Sequence, residues 1–215
     1  MPYTQHLQCI LQGVDAWNEW RKTCPKSMPD LSEANLSGMD LSRAYLAHTN
    51  FNRAVLTDAD LHGVNLDHCN FFQAVLLNTD LRDTRFYGAD LSHAQMHTAK
   101  LEGACFEGAT MNQVRLGGQF LQGMNFRNAN LFGADLSNVD LTGADLSGAV
   151  LAEANLELAC LYKANLEGAN LTGANVRQAM FKDTNLAGAC LEKVNMLEAN
   201  IPFRDKLRIR IKGHY

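Results

Sequence analysis

The sequence predicts a solenoid, a chain that turns its backbone once every five residues, and three observations predict it. Every fifth residue from Leu31 to Ile201 is Leu, Phe, Met, Val or Ile, through 35 positions without a slip. Two residues before each stands a small one: 22 of the 34 positions from Ala34 to Ala199 are Ala, and only Met39, Gln119 and Met124 are bulkier than Val. The residue between the two is Asp or Asn in 21 of 35 cases.

A period of five matches neither a helix nor a flat strand. A helix would smear the apolar residues around its surface, and a strand would send alternate ones to opposite faces. The pattern needs a path that turns once per repeat and brings the large residue and its small neighbour inward each time. Asp and Asn suit such a path because their side chains accept hydrogen bonds from nearby backbone N–H groups. Gly after the apolar residue suits a corner.

Units such as Ala134-Asp135-Leu136-Ser137-Asn138 and Ala144-Asp145-Leu146-Ser147-Gly148 make residues 30–201 resemble the pentapeptide-repeat family, with its A(D/N)LxG consensus. The resemblance implies an all-β solenoid: a right-handed quadrilateral β-helix of four five-residue sides, 20 residues per coil. It also implies that the large and small residues fill the interior while the other three positions face out. Spacing gives independent support for the coil. Phe51 and Phe71 are 20 apart, as are Phe86, Phe106 and Phe126, so stacked coils would place their rings in columns. At about 4.8 Å per coil the repeats would make a rod roughly 40 Å long. A thin core of Leu and Ala explains a composition that is 47% hydrophobic but only 8% aromatic.

An open β-helix exposes its core and unpaired backbone at both ends, so caps are expected. Residues 1–29 are read as a helical N-terminal cap. Leu7, Ile10, Leu11, Val14 and Trp17 fall on one helical face. Thr4 is placed as N-cap, Gly13 as a break and Asp15 as the cap of a second piece. Gly13 to Arg21 resembles the helical cap of cyanobacterial pentapeptide-repeat proteins. Residues 202–215 alternate Leu207, Ile209 and Ile211 with Arg208, Arg210 and Lys212, which reads as a basic strand closing the last coil.

Net charge is −4, which disfavours a dedicated nucleic-acid binder. No apolar run is long enough to span a bilayer, and nothing near Met1 resembles a secretory signal. Cys9, Cys24, Cys69, Cys105, Cys160 and Cys190 form no CxxC pair, so reduced thiols in a cytoplasmic protein are expected.

The outward positions carry no phosphate loop, nucleophile elbow or zinc motif. Neither an enzymatic activity nor a cofactor is therefore expected. Asp40, Asp60 and Asp80 should form one column, and a carboxylate column can attract a cation, although turn bonds already use those oxygens. His48 and His68 should stack, as a solvated pair or two metal ligands. Glu33 with Arg53 and Lys163 with Asp183 should form opposite-charge rungs. Gly117-Gly118-Gln119-Phe120 is expected to bulge or bend, because Gln119 occupies an inward slot and Phe120 the turn slot.

The exposed apolar residues are the most informative. Val55, Phe72, Val75 and Leu77 occupy outward slots around one corner, and such a patch marks a partner site, a self-association contact or a surface under the cap. The function that follows is a structural or protein–protein interaction module with an unidentified protein partner. An alternative is the DNA mimicry of those family members that bind DNA gyrase and other type II topoisomerases. It rests on 20 acidic against 11 basic residues in 30–201. A further alternative is cation or small-ligand binding on the solenoid surface.

Overall fold

Backbone hydrogen bonding confirms the 20-residue coil. The structure, a computed structural model, describes residues 4–200. They fall into two compact units, Met1–Cys105 and Phe106–Tyr215. In each, the bridged residues are parallel partners 20 positions apart, as in Asn50↔Asn70, Val55↔Val75, Asp135↔Asn155 and Asn165↔Asn185. Four five-residue repeats therefore close one coil.

The coil is built from turns. In most repeats the N–H of the small residue donates to the C=O of the large residue three positions earlier, as from Ala34 to Leu31 (3.1 Å) and Ala144 to Leu141 (3.0 Å). Except at Arg43, Thr98 and Glu198, the second residue after the large one has a positive φ, as in Gly38 (69°), Gly143 (68°), Asn128 (54°) and Leu158 (62°). That is the signature of a type II turn, and it explains the recurrence of Gly there. The Asp or Asn before the large residue braces the corner. Its Oδ1 accepts the N–H two residues on, from Ser37 to Asn35 (3.1 Å) and from Ser147 to Asp145 (3.0 Å).

Because the turn takes four of every five residues, one residue per side is left to pair across coils. The described residues therefore contain isolated bridges and no extended strand, so the expected all-β solenoid is built of turns and single bridged residues.

The interior is filled as the pattern requires. Leu36, Leu56, Leu76, Leu146 and Leu166 have no exposed surface, and Ala54, Ala74, Ala144 and Ala164 pack beside them. In the first unit Phe51 and Phe71 stack at 4.8 Å, 8° from parallel; in the second, Phe106 and Phe126 stack at 5.3 Å. Where Thr or Cys takes the small slot, its polar hydrogen goes to a backbone carbonyl: three residues back for Thr84, to Leu81, and 23 residues back in three other cases. Thr79 donates to Leu56 (2.8 Å), Thr184 to Leu161 (2.6 Å) and the Cys69 thiol to Leu46 (3.0 Å). Burial pushes the Cys69 thiol pKa up to about 12.

Thr49 occupies the same slot, is buried, and its hydroxyl has no partner among the described residues. The residue 23 positions back is Lys26, which precedes the first coil. Val fills this slot at Val64, Val114 and Val139, so Thr49→Val removes an unsatisfied hydroxyl at constant volume. It should stabilise the chain by about 1 kcal/mol, read as a higher urea midpoint at unchanged slope.

The N-terminal cap comprises α1 (Thr4–Leu11) and α2 (Val14–Thr23), broken at Gly13, whose φ of 115° favours glycine. Gly13 itself is the cap residue of α2 and Asp15 lies in its first turn, so Asp15 does not cap it. Ile10 and Trp17 are buried, whereas Leu11 is 57% exposed and does not join the apolar face.

Side chains of α2 take the place of a missing preceding coil. Trp17 Nε1 donates to Tyr45 O (3.0 Å), and Asn18 Nδ2 donates to Arg43 O (2.8 Å) while its Oδ1 accepts the Tyr45 N–H (2.9 Å). Arg21 Nη2 donates to Ala47 O (3.0 Å). Elsewhere the equivalent backbone groups bond to the neighbouring coil, as when Val55 N–H donates to Ala34 O. The helix thus satisfies an edge that would otherwise template aggregation.

At Gly117–Phe120 no extra residue is accommodated. Gly118 N–H donates to Ser137 O, Gln119 N–H to Leu116 O and Asp140 N–H to Gln119 O, the same register as in neighbouring repeats. The expected bulge is absent because Gly118, at φ 77°, supplies the regular corner and Gln119 is tolerated half-buried. The basic strand expected at 202–215 lies outside the described residues.

Candidate functional site

The four residues of the apolar patch lie in the first unit. Val55 and Val75 are bridge partners, one above the other, and Val75 bridges on to Gln95. Phe72 sits one position after the core residue Phe71 and Leu77 one after Leu76, so the two flank the side that carries Val75. All four are half-buried rather than fully open. Phe72 packs edge-on against His93, with ring centroids 5.3 Å apart. A coil neighbour 20 residues away covers part of every outward side chain, which single-repeat reasoning does not capture.

The largest exposed apolar side chain on a described coil side is Phe120, at 71%, across its bridge from Asp140. The sequence placed Phe120 in the Asp/Asn slot but gave it no role.

The charged columns are as spaced. Asp40, Asp60 and Asp80 are successive bridge partners. Their oxygens are committed: Asp40 Oδ1 accepts both the N–H and the hydroxyl of Ser42, and these bonds hold its carboxyl below the usual range. Asp80 meets Arg82 at 2.6 Å and Lys100 at 3.8 Å, and the Arg82 guanidinium lowers its pKa. Protein cations thus already occupy the end of this column. His48 and His68 stack at 5.0 Å, 12° from parallel, with Tyr87 edge-on to His68. Among the described residues no group of three or more His, Cys, Asp and Glu side chains could hold a metal ion.

The rungs are re-paired. Arg53 Nε donates to Gln73 Oε1 (2.9 Å). Lys163 makes no ion pair with Asp183 among the described residues; its ammonium lies 5.0 Å from the Tyr162 ring centroid. A cation over an aromatic face keeps its hydration and competes well with an exposed ion pair. The Trp pair serves the cap. Trp17 is buried, and Trp20 packs between Trp17 (5.1 Å) and His6 (4.7 Å).

A feature the sequence did not reveal lies beside α2. Tyr45 and Asn65 should bridge, as Asp40 does with Asp60 and Asn50 with Asn70, but they do not. The usual ladder bonds from Arg43 N–H to His62 O, Leu46 N–H to Asn65 O and Asn65 N–H to Ala44 O are missing, while those of the flanking sides are intact. Arg43 also lacks the positive φ of its equivalents Gly38 and His48. The bonds from Asn18 and Trp17 draw this corner toward the helix. A cleft of about 430 Å³ opens there, lined by Arg21, Arg43, Tyr45, Leu46, Val64 and Asn65 among others. The only trace in the sequence is Tyr45 in place of Asp or Asn.

The family model described as pentapeptide repeats matches in eight copies between residues 30 and 196. Among solved structures, HetL, a pentapeptide-repeat protein involved in heterocyst differentiation regulation from Nostoc sp. strain PCC 7120, is 25% identical. That match covers 86% of this chain and 96% of HetL, with a TM-score of 0.43. A thylakoid-lumen pentapeptide-repeat protein of Arabidopsis thaliana is 31% identical over 62% of this chain and 74% of its own, with a TM-score of 0.35. QnrB1, a plasmid-mediated fluoroquinolone resistance protein, is 21% identical over 78% and 77%, with a TM-score of 0.40. No curated protein matches the sequence significantly. Among the described residues no helix is long and apolar enough to cross a membrane.

Proposed function

Because the chain belongs to the pentapeptide-repeat family, we propose that it is a non-enzymatic interaction module, and that a protein partner docks on the face formed by Val55, Phe72, Val75 and Leu77. The observation that carries this reading is the Val55–Val75 column flanked by Phe72 and Leu77, four apolar side chains gathered where the repeat otherwise places polar ones. A rigid backbone ladder holds them in fixed register, so little ordering cost opposes docking. The reading keeps 1–29 as cap, 30–201 as a right-handed coil and 202–215 as a closing segment. A cytoplasmic setting fits six free cysteines.

Affinity capture from the native host, with wild type and a Phe72→Glu, Leu77→Glu variant in parallel, tests it. A partner retained by wild type and lost from a folded variant is the expected result. A partner retained equally by both removes the patch from the function.

The net charge of −9 over 30–201 favours a second reading, mimicry of DNA toward a type II topoisomerase. A gyrase supercoiling assay showing neither inhibition nor protection ends it.

A further inference from the structure

We propose that the cleft between Tyr45 and Asn65 binds a small oxyanion, the carboxylate or phosphate group of a low-molecular-weight ligand. Its volume, about 430 Å³, lies within the size range of small-molecule sites. Arg21 and Arg43 line it and none of its lining residues is acidic; the Asp40 carboxylate, bonded to Ser42, feels the Arg43 charge from outside the lining. Neither arginine makes an ion pair among the described residues.

Arg21 is half-buried and held in place by its bonds to Ser27 O (2.9 Å) and Ala47 O (3.0 Å), so its charge is fixed at the cleft without a counter-ion. Burial lowers its pKa, the direction expected of a cation that lacks an anion. The interrupted ladder adds donors: the N–H groups of Arg43, Leu46 and Asn65 have no backbone acceptor, although their equivalents in the flanking repeats do. Donors freed in this way are left to water or to a ligand. An oxyanion accepts from both the backbone and the guanidinium, and charge-assisted bonds of that kind are the strong ones.

The cleft is separate from the apolar patch, so this site stands or falls independently of partner docking. The test is a titration of the full-length, ¹⁵N-labelled chain followed by amide shifts, with inorganic phosphate in one arm and succinate in the other. Ionic strength is held constant with chloride. The expected result is saturable shifts of the Arg43, Leu46 and Asn65 amides, with Val75 unmoved. Saturation by phosphate alone assigns a phosphoryl ligand, and saturation by succinate alone a carboxylate. The Arg43→Gln variant should bind at least about tenfold more weakly, and Arg43→Lys should recover part of the loss. The Arg43 side chain is exposed and makes no hydrogen bond among the described residues, so both variants should fold. Non-saturable shifts with both anions, or equal affinity in Arg43→Gln, overturn the proposal.

Discussion

Replacing Leu101 with Asp should destabilise the chain by about 4 kcal/mol or more, whereas Glu102→Ala beside it should melt with the parent. Leu101 is 2% exposed and lies in the axial row. An aspartate there enters the apolar interior, and burying an unpaired carboxylate or forcing its protonation is among the few single changes that cost this much. Glu102 is exposed on the turn. Urea titration of both variants by circular dichroism makes the comparison. Equal midpoints would mean that the inward and outward frame is wrong, and every surface assignment would go with it.

The second large effect is at the cap. Trp17→Ala should cost about 4 kcal/mol, because the indole is fully buried and a large aromatic core residue leaves a cavity. Trp17→Phe separates the two contributions. It keeps most of the packing but loses the Nε1 bond to Tyr45 O, and should cost about 1 kcal/mol beyond the change in size. If the cap seals the first coil, Trp17→Ala should also promote concentration-dependent association, read by light scattering as protein concentration is raised. A Trp17→Ala chain as stable and as monomeric as the parent would make the helices an ornament rather than a seal.

The sequence was informative in proportion to how strictly each feature repeats. Leu36, Leu56 and Leu76 are interior because an unbroken period admits one frame, and the Asp and Asn side chains bond to the turn as their chemistry predicts. The coil length came from the family resemblance, with Phe51 and Phe71 spaced 20 apart in support. The scarcity of strand was not legible, since it depends on how many residues the turn consumes. Departures from the repeat were harder still. Gln119 looked like a fault in the frame, yet the backbone passes it in register because Gly118 supplies the corner. Tyr45 is distinguished only by standing where Asp or Asn usually does, yet its backbone is where the cap attaches. The patch at Val55, Phe72, Val75 and Leu77 was visible as outward apolar residues, but its half-burial comes from neighbours 20 residues away that no single repeat contains.

The regular ladder also bears on how the chain folds. Within each unit the coil-to-coil backbone bonds join residues 19 to 21 positions apart, as from Leu36 N–H to Val55 O and from Val55 N–H to Ala34 O. Each new coil therefore closes a loop of one size, and closure entropy rises only slowly with loop length in any case. Contacts this local favour rapid folding even in a chain with almost no helix. A coil can be laid down as soon as about twenty further residues leave the ribosome, with the one before it as template. Synthesis order then matters: the helical cap emerges before the coils, and a foundation is in place before there is an edge to protect.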